Sequence, residues 1–283
     1  VELATRMDTQ NIRLELADTT LQRTLPPDLG ADLRFHHQWS PGLASELSLQ
    51  RGYRGGGYNT SPTLPRDRQA YDPEQLYLAE ASSHYVTQQF SWLGRVFFQR
   101  QVRSQARSSY QHDPMDPNSF SYYTANVDGS HSFGAESIAT QSWRAWTLSG
   151  SAGLMHSRYA TYRLGNRNLT GRQVAHAPPW NYQLRLAFAP FPYSFYTQVT
   201  GRDAAYHSVD HDYKSNPYHL VDIGSSVTLG RWQFQVWIKN LFAQRYAVRA
   251  FYFANEPPAW QDKYYVQLGD PRMYGLQATF TLL

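Results

Sequence analysis

The chain has 283 residues and a formal net charge of +4, and it contains no cysteine. The lack of cysteine excludes disulfide scaffolds, thiolate metal sites and cysteine nucleophiles. The basic residues are scattered along the sequence, which argues against a nucleic-acid surface.

The composition is polar on average but rich in aromatic residues. Mean hydropathy is −0.59, yet 15% of the residues are aromatic, including 21 Tyr and 8 Trp. No apolar run reaches the roughly 20 residues that a membrane helix needs. A transmembrane β-barrel combines a polar lumen, lipid-facing residues at alternate positions and aromatic girdles. The composition therefore favours a transmembrane β-barrel.

The start of the chain is predicted to form β-strands, because apolar and polar residues alternate there. A first strand covers about Glu2 to Ala17, and the turn-forming residues from Thr24 to Gly30 predict a turn after it. The next strand covers about Ala31 to Trp39. Ser40-Pro41-Gly42 predicts a tight turn into a strand from Leu43 to Gln50.

The remaining strands follow the same two-residue period, which places alternate side chains on opposite faces. They are predicted at about Leu76 to Thr87, Leu93 to Arg103, Phe120 to Ala139, Arg144 to Ser157, Trp180 to Phe188, Tyr193 to Gly201, Tyr218 to Thr228, Trp232 to Lys239 and Tyr274 to Leu282. Leu184 and Phe234 fall on the predicted lipid-facing side. The residues predicted to face the lumen are Glu80, Gln183, Arg185, Gln233 and Gln277.

Long and short connections alternate between these strands. The long ones cover about Tyr53 to Pro73, Ser104 to Asn118, Arg158 to Pro179, Arg202 to Pro217 and Gln244 to Asp270. Outer-membrane barrels keep short turns at the periplasmic rim and long loops outside. We therefore expect an all-β, antiparallel transmembrane barrel whose long loops are extracellular. Because lipid cannot satisfy an open sheet edge, about twelve strands either close alone or belong to a larger ring.

Several short motifs occur in order along the chain. Arg51 to Asn59 is glycine-rich, Tyr71-Asp72-Pro73-Glu74 precedes Glu80, and Ser132 to Glu136 contains a central glycine. Near the end, Asn240-Leu241-Phe242-Ala243-Gln244-Arg245-Tyr246 is followed by Pro271-Arg272-Met273-Tyr274-Gly275. Together these segments cover most of the chain and resemble the motifs of TonB-dependent outer-membrane receptors.

The resemblance implies a bacterial outer-membrane barrel of about 22 strands with an N-terminal plug domain. It also implies uptake of a scarce nutrient, such as a ferric siderophore, haem, cobalamin or a sugar, driven by the TonB complex of the inner membrane. Residues 1–283 would then be the C-terminal portion of the barrel, and the plug domain and TonB-binding region would lie outside this chain. The strand-like start at Val1, without a signal peptide, also favours an excerpt.

The resemblance further assigns structural roles to the motif residues at the end of the chain. These residues are Asn240, Phe242, Tyr246, Pro271, Arg272 and Gly275. The family usually ends on Phe or Trp, which the barrel-assembly machinery recognises, whereas this chain ends on Leu283. A second departure is Ala81-Ser82, where the family has Leu-Gly.

The loop from Gln244 to Asp270 interleaves aromatic residues with Arg and Lys. Such a surface suits an anionic, partly aromatic ligand such as a ferric chelate. The alternative is that these aromatic residues form the outer girdle of the barrel. The loop residues predicted to face a ligand are Tyr53, Arg54, Tyr58, Arg249, Tyr252 and Trp260.

Metal binding and catalysis are not predicted. His207, Asp210, His211 and Asp212 share one loop, but their spacing matches no standard metal motif. Neighbouring Ser and His residues, at positions 83–84 and 156–157, point to opposite faces of a strand, so neither pair can act as nucleophile and base. No cofactor is expected either. The alternative function is a complete barrel of about twelve strands that acts as a passive porin or adhesin.

Overall fold

Twelve of the strands form one antiparallel β-sheet. The protein is represented by a computed structural model that describes residues 1–16, 19–61, 64–65, 69–113, 115–116, 119–164, 167–209, 211–254 and 256–282. In chain order the strands are β1 (Glu2–Leu16), β2 (Thr19–Ser40), β3 (Leu43–Arg54), β4 (Gly57–Tyr58), β5 (Ala70–Tyr71), β6 (Glu74–Val86), β7 (Phe90–Gln111), β8 (Phe120–Trp143), β9 (Trp146–Tyr159), β10 (Arg163–Leu164), β11 (Arg167–Asn168), β12 (Trp180–Phe188), β13 (Tyr193–Arg202), β14 (Tyr218–Leu229), β15 (Trp232–Lys239), β16 (Ala247–Ala254), β17 (Asp262–Leu268) and β18 (Met273–Phe280).

The large sheet follows the chain without a crossover. Its order is β1-β2-β3-β6-β7-β8-β9-β12-β13-β14-β15-β18. The small hairpins β4–β5, β10–β11 and β16–β17 lie within three of the long connections. The sheet therefore has a short-turn end and a long-loop end, as the alternation of connections predicted. The all-β, antiparallel fold is confirmed.

Strand register sorts the side chains of the sheet onto two faces. Phe234 pairs with Ala278, and Gln235 pairs with Gln277, so apolar and polar positions each continue across neighbouring strands. We call the face that carries Leu184, Phe234 and Leu276 the apolar face, and the face that carries Gln235 and Gln277 the polar face. The pleat alone produces this separation, because successive side chains point to opposite sides.

The sheet lacks a conventional hydrophobic core. Among the described residues, no large side chain is fully buried. On the apolar face Leu184 is 48% exposed, Val236 is 51% exposed and Leu276 is 78% exposed. An apolar surface of this kind marks contact with another apolar phase or partner. The stability of the sheet therefore depends on what covers this face.

The structure corrects the prediction of a turn from Thr24 to Gly30. These residues belong to β2 and pair with β1 from Arg6 to Asn11. The register shifts between Asp8 and Gln10. Proline cannot donate to a ladder and is tolerated at such irregularities, so the adjacent prolines at 26 and 27 mark a bulge rather than a turn.

Two further boundaries differ from the predictions. The predicted loop from Ser104 to Asn118 is mostly a hairpin, since β7 continues to Gln111 and pairs there with Phe120. The turn predicted near Gln141 lies instead at residues 144–145, with Trp143 paired to Trp146. In both places strand pairing continues past local sequence signals for a loop.

The large sheet has two edge strands. Within the described residues, β1 pairs only with β2, and β18 pairs only with β15. The described part of the chain contains no helix with the length and apolarity required to cross a membrane.

Candidate ligand-binding loops and polar face

Arg172 joins two of the long connections at the long-loop end. Its side chain is only 9% exposed, and its guanidinium group donates to the carbonyl oxygens of Ser208 (3.2 Å) and Val209 (3.3 Å) and to that of His211. The same group lies 3.8 Å from the centre of the Tyr206 ring. A buried arginine needs such partners, because an unpaired charge is costly away from water. Arg172 therefore fixes the connection after β13 against the connection after β9.

Three histidines lie in the same region. His207 is 8% exposed, and its ring centre lies 6.0 Å from that of His176. Burial holds the pKa of the His207 imidazole below its usual value of 6.5, and the charges of His176 and His211 lower it further. The neutral form of His207 is therefore favoured in the folded loops.

A group of aromatic rings connects hairpin β16–β17 to this region. Tyr213 stacks on Tyr264 with ring centres 4.6 Å apart, and it lies 5.5 Å from Tyr252. His211 is 4% exposed and lies 5.6 Å from both Tyr213 and Tyr264. Burial raises the pKa of the Tyr264 phenol, so the hydroxyl group keeps its proton. The rings therefore fix the strands of the hairpin against His211 and Tyr213.

Cationic side chains lie over aromatic rings beside this cluster. Lys214 Nζ is 4.5 Å from the centre of the Tyr206 ring, and the Arg249 guanidinium is 5.0 Å from that of Phe251. Cation–π contacts leave N–H groups of the cation available to an anion. The long-loop end thus offers positive charge and phenol hydroxyl groups together, which suits an anionic ligand with aromatic character.

The residues predicted to bind a ligand fall into two separate places. Tyr252 belongs to the aromatic group, Arg249 lies on the same strand, and Trp260 is 44% exposed between β16 and β17. Tyr53 and Arg54 lie at the end of β3, and between β3 and β15 the sheet contains β6, β7, β8, β9, β12, β13 and β14.

The group near β3 is already engaged by neighbouring side chains. The Tyr53 hydroxyl donates to Asp8, and Arg54 forms an ion pair of 2.8 Å with Glu74. Tyr58 lies in the small hairpin β4–β5. The sequence did not indicate Arg172 or Tyr213, whose contacts join segments that are far apart in the chain.

The residues predicted to face a lumen share the polar face. Arg95 bridges Glu80 (3.2 Å) and Glu136 (2.7 Å) across three adjacent strands. Arg185 lies 3.8 Å over the ring of Tyr196. The strand register places the other three, Gln183, Gln233 and Gln277, on this same face. Gln277 donates a hydrogen bond to Thr279 (3.3 Å).

Two aromatic rings on the polar face lie flat over glycines. A Cβ added at Gly275 would come within 2.0 Å of the Trp237 ring, and one added at Gly224 would come within 2.3 Å of the Tyr196 ring. In the strand register Gly275 pairs with Trp237, and Gly224 pairs with Tyr196. Glycine is needed here because any side chain would displace the ring.

The motif residues at the end of the chain build one turn. Asn240 is 4% exposed, has a φ of +50°, and donates to the carbonyl oxygens of Gln244 (2.9 Å) and Asp270 (3.1 Å). Asparagine tolerates this left-handed conformation better than most residues. Asp222 accepts a hydrogen bond from the Asn240 backbone N–H (2.8 Å).

The remaining motif residues support the same turn. Tyr246 packs against Tyr218, with the rings tilted and their centres 4.6 Å apart, and it covers Gly269. Arg272, which follows Pro271, donates to the Leu241 carbonyl oxygen (3.4 Å), whereas Phe242 is 73% exposed.

Side chains considered for metal binding or catalysis make other contacts. Asp210 lies outside the described residues. Among the described residues, no three His, Asp or Glu side chains form a group that could hold a metal ion. Ser157 shares a hydrogen bond of 2.7 Å with Ser132, whereas His156 stacks on Phe133. Ser83 shares a hydrogen bond of 2.7 Å with Ser45.

Solved structures of bacterial receptors have the same fold. The ferric yersiniabactin uptake receptor of Yersinia pestis matches with a TM-score of 0.76 and 15% identity, over 93% of this chain and 39% of that chain. The siderophore receptor PiuA of Acinetobacter baumannii matches with a TM-score of 0.70 and 16% identity, over 98% and 40%. The ferripyoverdine receptor of the outer membrane of Pseudomonas aeruginosa matches with a TM-score of 0.66 and 12% identity, over 97% and 35%.

These matches confirm the predicted fold, in which the strands follow the arrangement found in β-barrels. The chain spans 39%, 40% and 35% of the three receptor chains, so it corresponds to part of their length. No protein-family model matches the chain.

Proposed function

We propose that this chain is the C-terminal portion of the barrel of a TonB-dependent receptor in the bacterial outer membrane, and that the receptor takes up a scarce nutrient such as a ferric siderophore. One observation carries the proposal. The sheet matches receptors for ferric yersiniabactin, ferric preacinetobactin and ferripyoverdine over 93%, 98% and 97% of this chain. The agreement extends over nearly the whole chain although the identities are low.

The distribution of side chains supports a place in the membrane. The apolar face would contact outer-membrane lipid, which accounts for the exposed Leu and Val side chains. The polar face, with Arg185 and the three predicted glutamines, would line the lumen or contact a plug domain outside this chain. The free edges at β1 and β18 would pair with further strands of a barrel of about 22 strands, because lipid does not tolerate unpaired edges.

The long-loop end would capture the ligand outside the cell. Lys214 directly follows Tyr213 of the aromatic group, and Arg249 lies on the same strand as Tyr252. Their positive charges and the neighbouring rings suit an anionic ferric chelate through charge and stacking. The ligand would then pass along the polar face while the plug is displaced by the TonB complex, which would act through the N-terminal region. The barrel-assembly machinery would insert the protein.

Growth under iron limitation tests the proposal. The full-length gene is expressed in a strain that lacks its own siderophore receptors, and growth is measured with a panel of ferric siderophores. We expect rescue by one class of siderophore, and we expect rescue to disappear when TonB is deleted. Equal growth with and without TonB would instead favour the passive porin. No rescue by any chelate, with the protein present in the outer membrane, would refute siderophore uptake.

A further inference from the structure

Two recesses of similar size lie on the apolar face. The first, which we call the serine recess, has a volume of about 750 Å³ and crosses β2, β3, β6, β7 and β8. The second, which we call the aliphatic recess, has a volume of about 710 Å³ and crosses β13, β14, β15 and β18. Their side chains differ in polarity, and this difference points to a specific occupant of the serine recess.

One end of the serine recess is polar. His37, Ser45, Ser83, Gly94 and Ser137 are successive partners across the strands, so they form one row on the apolar face. The hydroxyl groups of Ser45 and Ser83 share a hydrogen bond of 2.7 Å. The indole N–H groups of Trp39 and Trp92 donate to Ser45 and Ser137, each at 3.0 Å.

The other end of the same recess is apolar. The neighbouring row toward the middle of the strands consists of Phe35, Leu47, Ala81, Val96 and Ala135. Ala81 and Ala135 are small, so the row leaves room for a chain-like group between its larger side chains. The recess therefore changes from hydrogen-bonding groups near the short turns to hydrocarbon near the middle of the sheet.

The polar row is unusual for its position. Hydroxyl and imidazole groups on a lipid-facing surface are unfavourable unless they form hydrogen bonds. Trp92 donates to Ser137, and Trp39 donates to Ser45, which shares one hydrogen bond with Ser83. The Ser137 hydroxyl group and one hydroxyl group of the Ser45–Ser83 pair therefore each keep a hydrogen that makes no hydrogen bond within the described residues. Two donors thus point to an acceptor outside the protein. Tryptophan prefers the membrane interface, which places this row at the level of lipid headgroups.

We propose that the serine recess binds one phospholipid of the membrane leaflet at the short-turn end. Ser83 and Ser137, which lie two strand spacings or about 10 Å apart, donate to the phosphate and ester oxygens, and one acyl chain lies along the Phe35 row. The order of polarity in the recess is the order of polarity in a phospholipid, from headgroup to chain. The site rests on the proposed function in one respect, namely that the apolar face contacts lipid.

The aliphatic recess provides the matched control. It has nearly the same volume, but its side chains on the apolar face are aromatic or aliphatic apart from Ser225, which makes no side-chain hydrogen bond within the described residues. Both recesses therefore offer a serine that leucine can replace. Ser83→Leu fills the serine recess and removes its hydroxyl group, whereas Ser225→Leu makes the same change where no headgroup site exists.

The test measures retention of phosphatidylethanolamine by the full-length protein. Detergent-purified protein is titrated with the lipid, and bound lipid is counted by native mass spectrometry. We expect Ser83→Leu to weaken retention about tenfold and Ser225→Leu to leave it unchanged, since a hydrogen-bonding site is lost only in the former. A Ser83→Ala and Ser137→Ala double variant keeps the recess open and is expected to weaken retention as well, which serves if Ser83→Leu does not assemble.

Several results would overturn the lipid site. These are equal retention by wild type and Ser83→Leu, equal loss in both leucine variants, unchanged retention by the double variant, or a second copy of the protein on the face in place of lipid. Ferric siderophore uptake by the same variants is expected to be normal. Lipid retention without uptake by wild type would sink only the proposed function, and absence of wild type from the outer membrane would sink both.

Discussion

Burial is inverted between the sheet and the loops at its long-loop end. On the apolar face, Val236 is 51% exposed and Leu276 is 78% exposed. In the loops, His207 is 8% exposed, His211 is 4% exposed and the Arg172 side chain is 9% exposed. A protein in water usually does the reverse. The loops fold as a small polar assembly held by hydrogen bonds, whereas the sheet relies on an apolar surrounding. The two regions should therefore respond differently to the same kind of substitution.

A charge on the apolar face should have the largest effect. We expect Val236→Arg to cost about 2–4 kcal/mol in a bilayer, because a cation near the midplane loses its hydration. The adjacent Gln235→Arg places the same charge on the polar face and should be tolerated. The folded fraction in outer membranes, read from the heat-dependent gel mobility of the barrel, measures both. Equal tolerance of the two variants would remove the contrast between the faces.

Removal of the buried arginine should have an intermediate and local effect. Arg172→Gln removes the hydrogen bonds from this guanidinium group to the carbonyl groups of Ser208 and His211, so we expect loop docking to weaken by about 1–3 kcal/mol. Faster hydrogen exchange from residue 206 to residue 213, with no change in the sheet, is the expected result. Lys263→Gln is the control, because its ion pair with Glu256 joins two half-exposed side chains and such pairs contribute about 0–1 kcal/mol. Exchange that changes in neither variant would show that Arg172 does not hold the loops.

Acidification should have the smallest effect and should also act on the loops alone. The pKa of His207 in the docked loops is lower than its usual value of 6.5, so the undocked form binds a proton more readily. Docking is therefore expected to be strongest above about pH 6.5 and to weaken as the pH falls below that value. Hydrogen exchange of the loop, corrected for its intrinsic pH dependence, measures this change. His207→Asn should flatten the profile, and an equal slope in that variant would assign the effect to another group.

The strands could be predicted from the sequence where one face of the strand is apolar and the other is largely polar. The bounds of β12 and β15 agree with the predictions, because every second residue is apolar from Trp180 to Phe188 and from Trp232 to Ile238, and the residues between them are polar except Ala187 and Trp237. From Thr24 to Gly30 the prediction was wrong. Local turn signals dominated the interpretation there, and the pairing partner in β1, which decides the structure, lies outside that stretch.

The candidate site was less accessible from the sequence for a similar reason. The aromatic content of the loop that contains Tyr252 was visible, but its contacts with Tyr213 join residues of separate connections. Arg172 looked like any loop arginine, and only the folded structure shows it between two connections. His207 and His211 were considered as metal ligands from the sequence. In the structure they are buried, His207 near cationic groups and His211 against tyrosine rings.

The rings that lie over glycines on the polar face limit which residues can change there during evolution. Trp237 occupies the space that a side chain at position 275 would need, so neither residue can change by itself without a clash or a gap. An ancestor that acquired a larger residue at Gly275 would also have had to shrink or redirect the indole. The pair should therefore be inherited as a unit, and an alignment of relatives should show coupled substitution at these two positions.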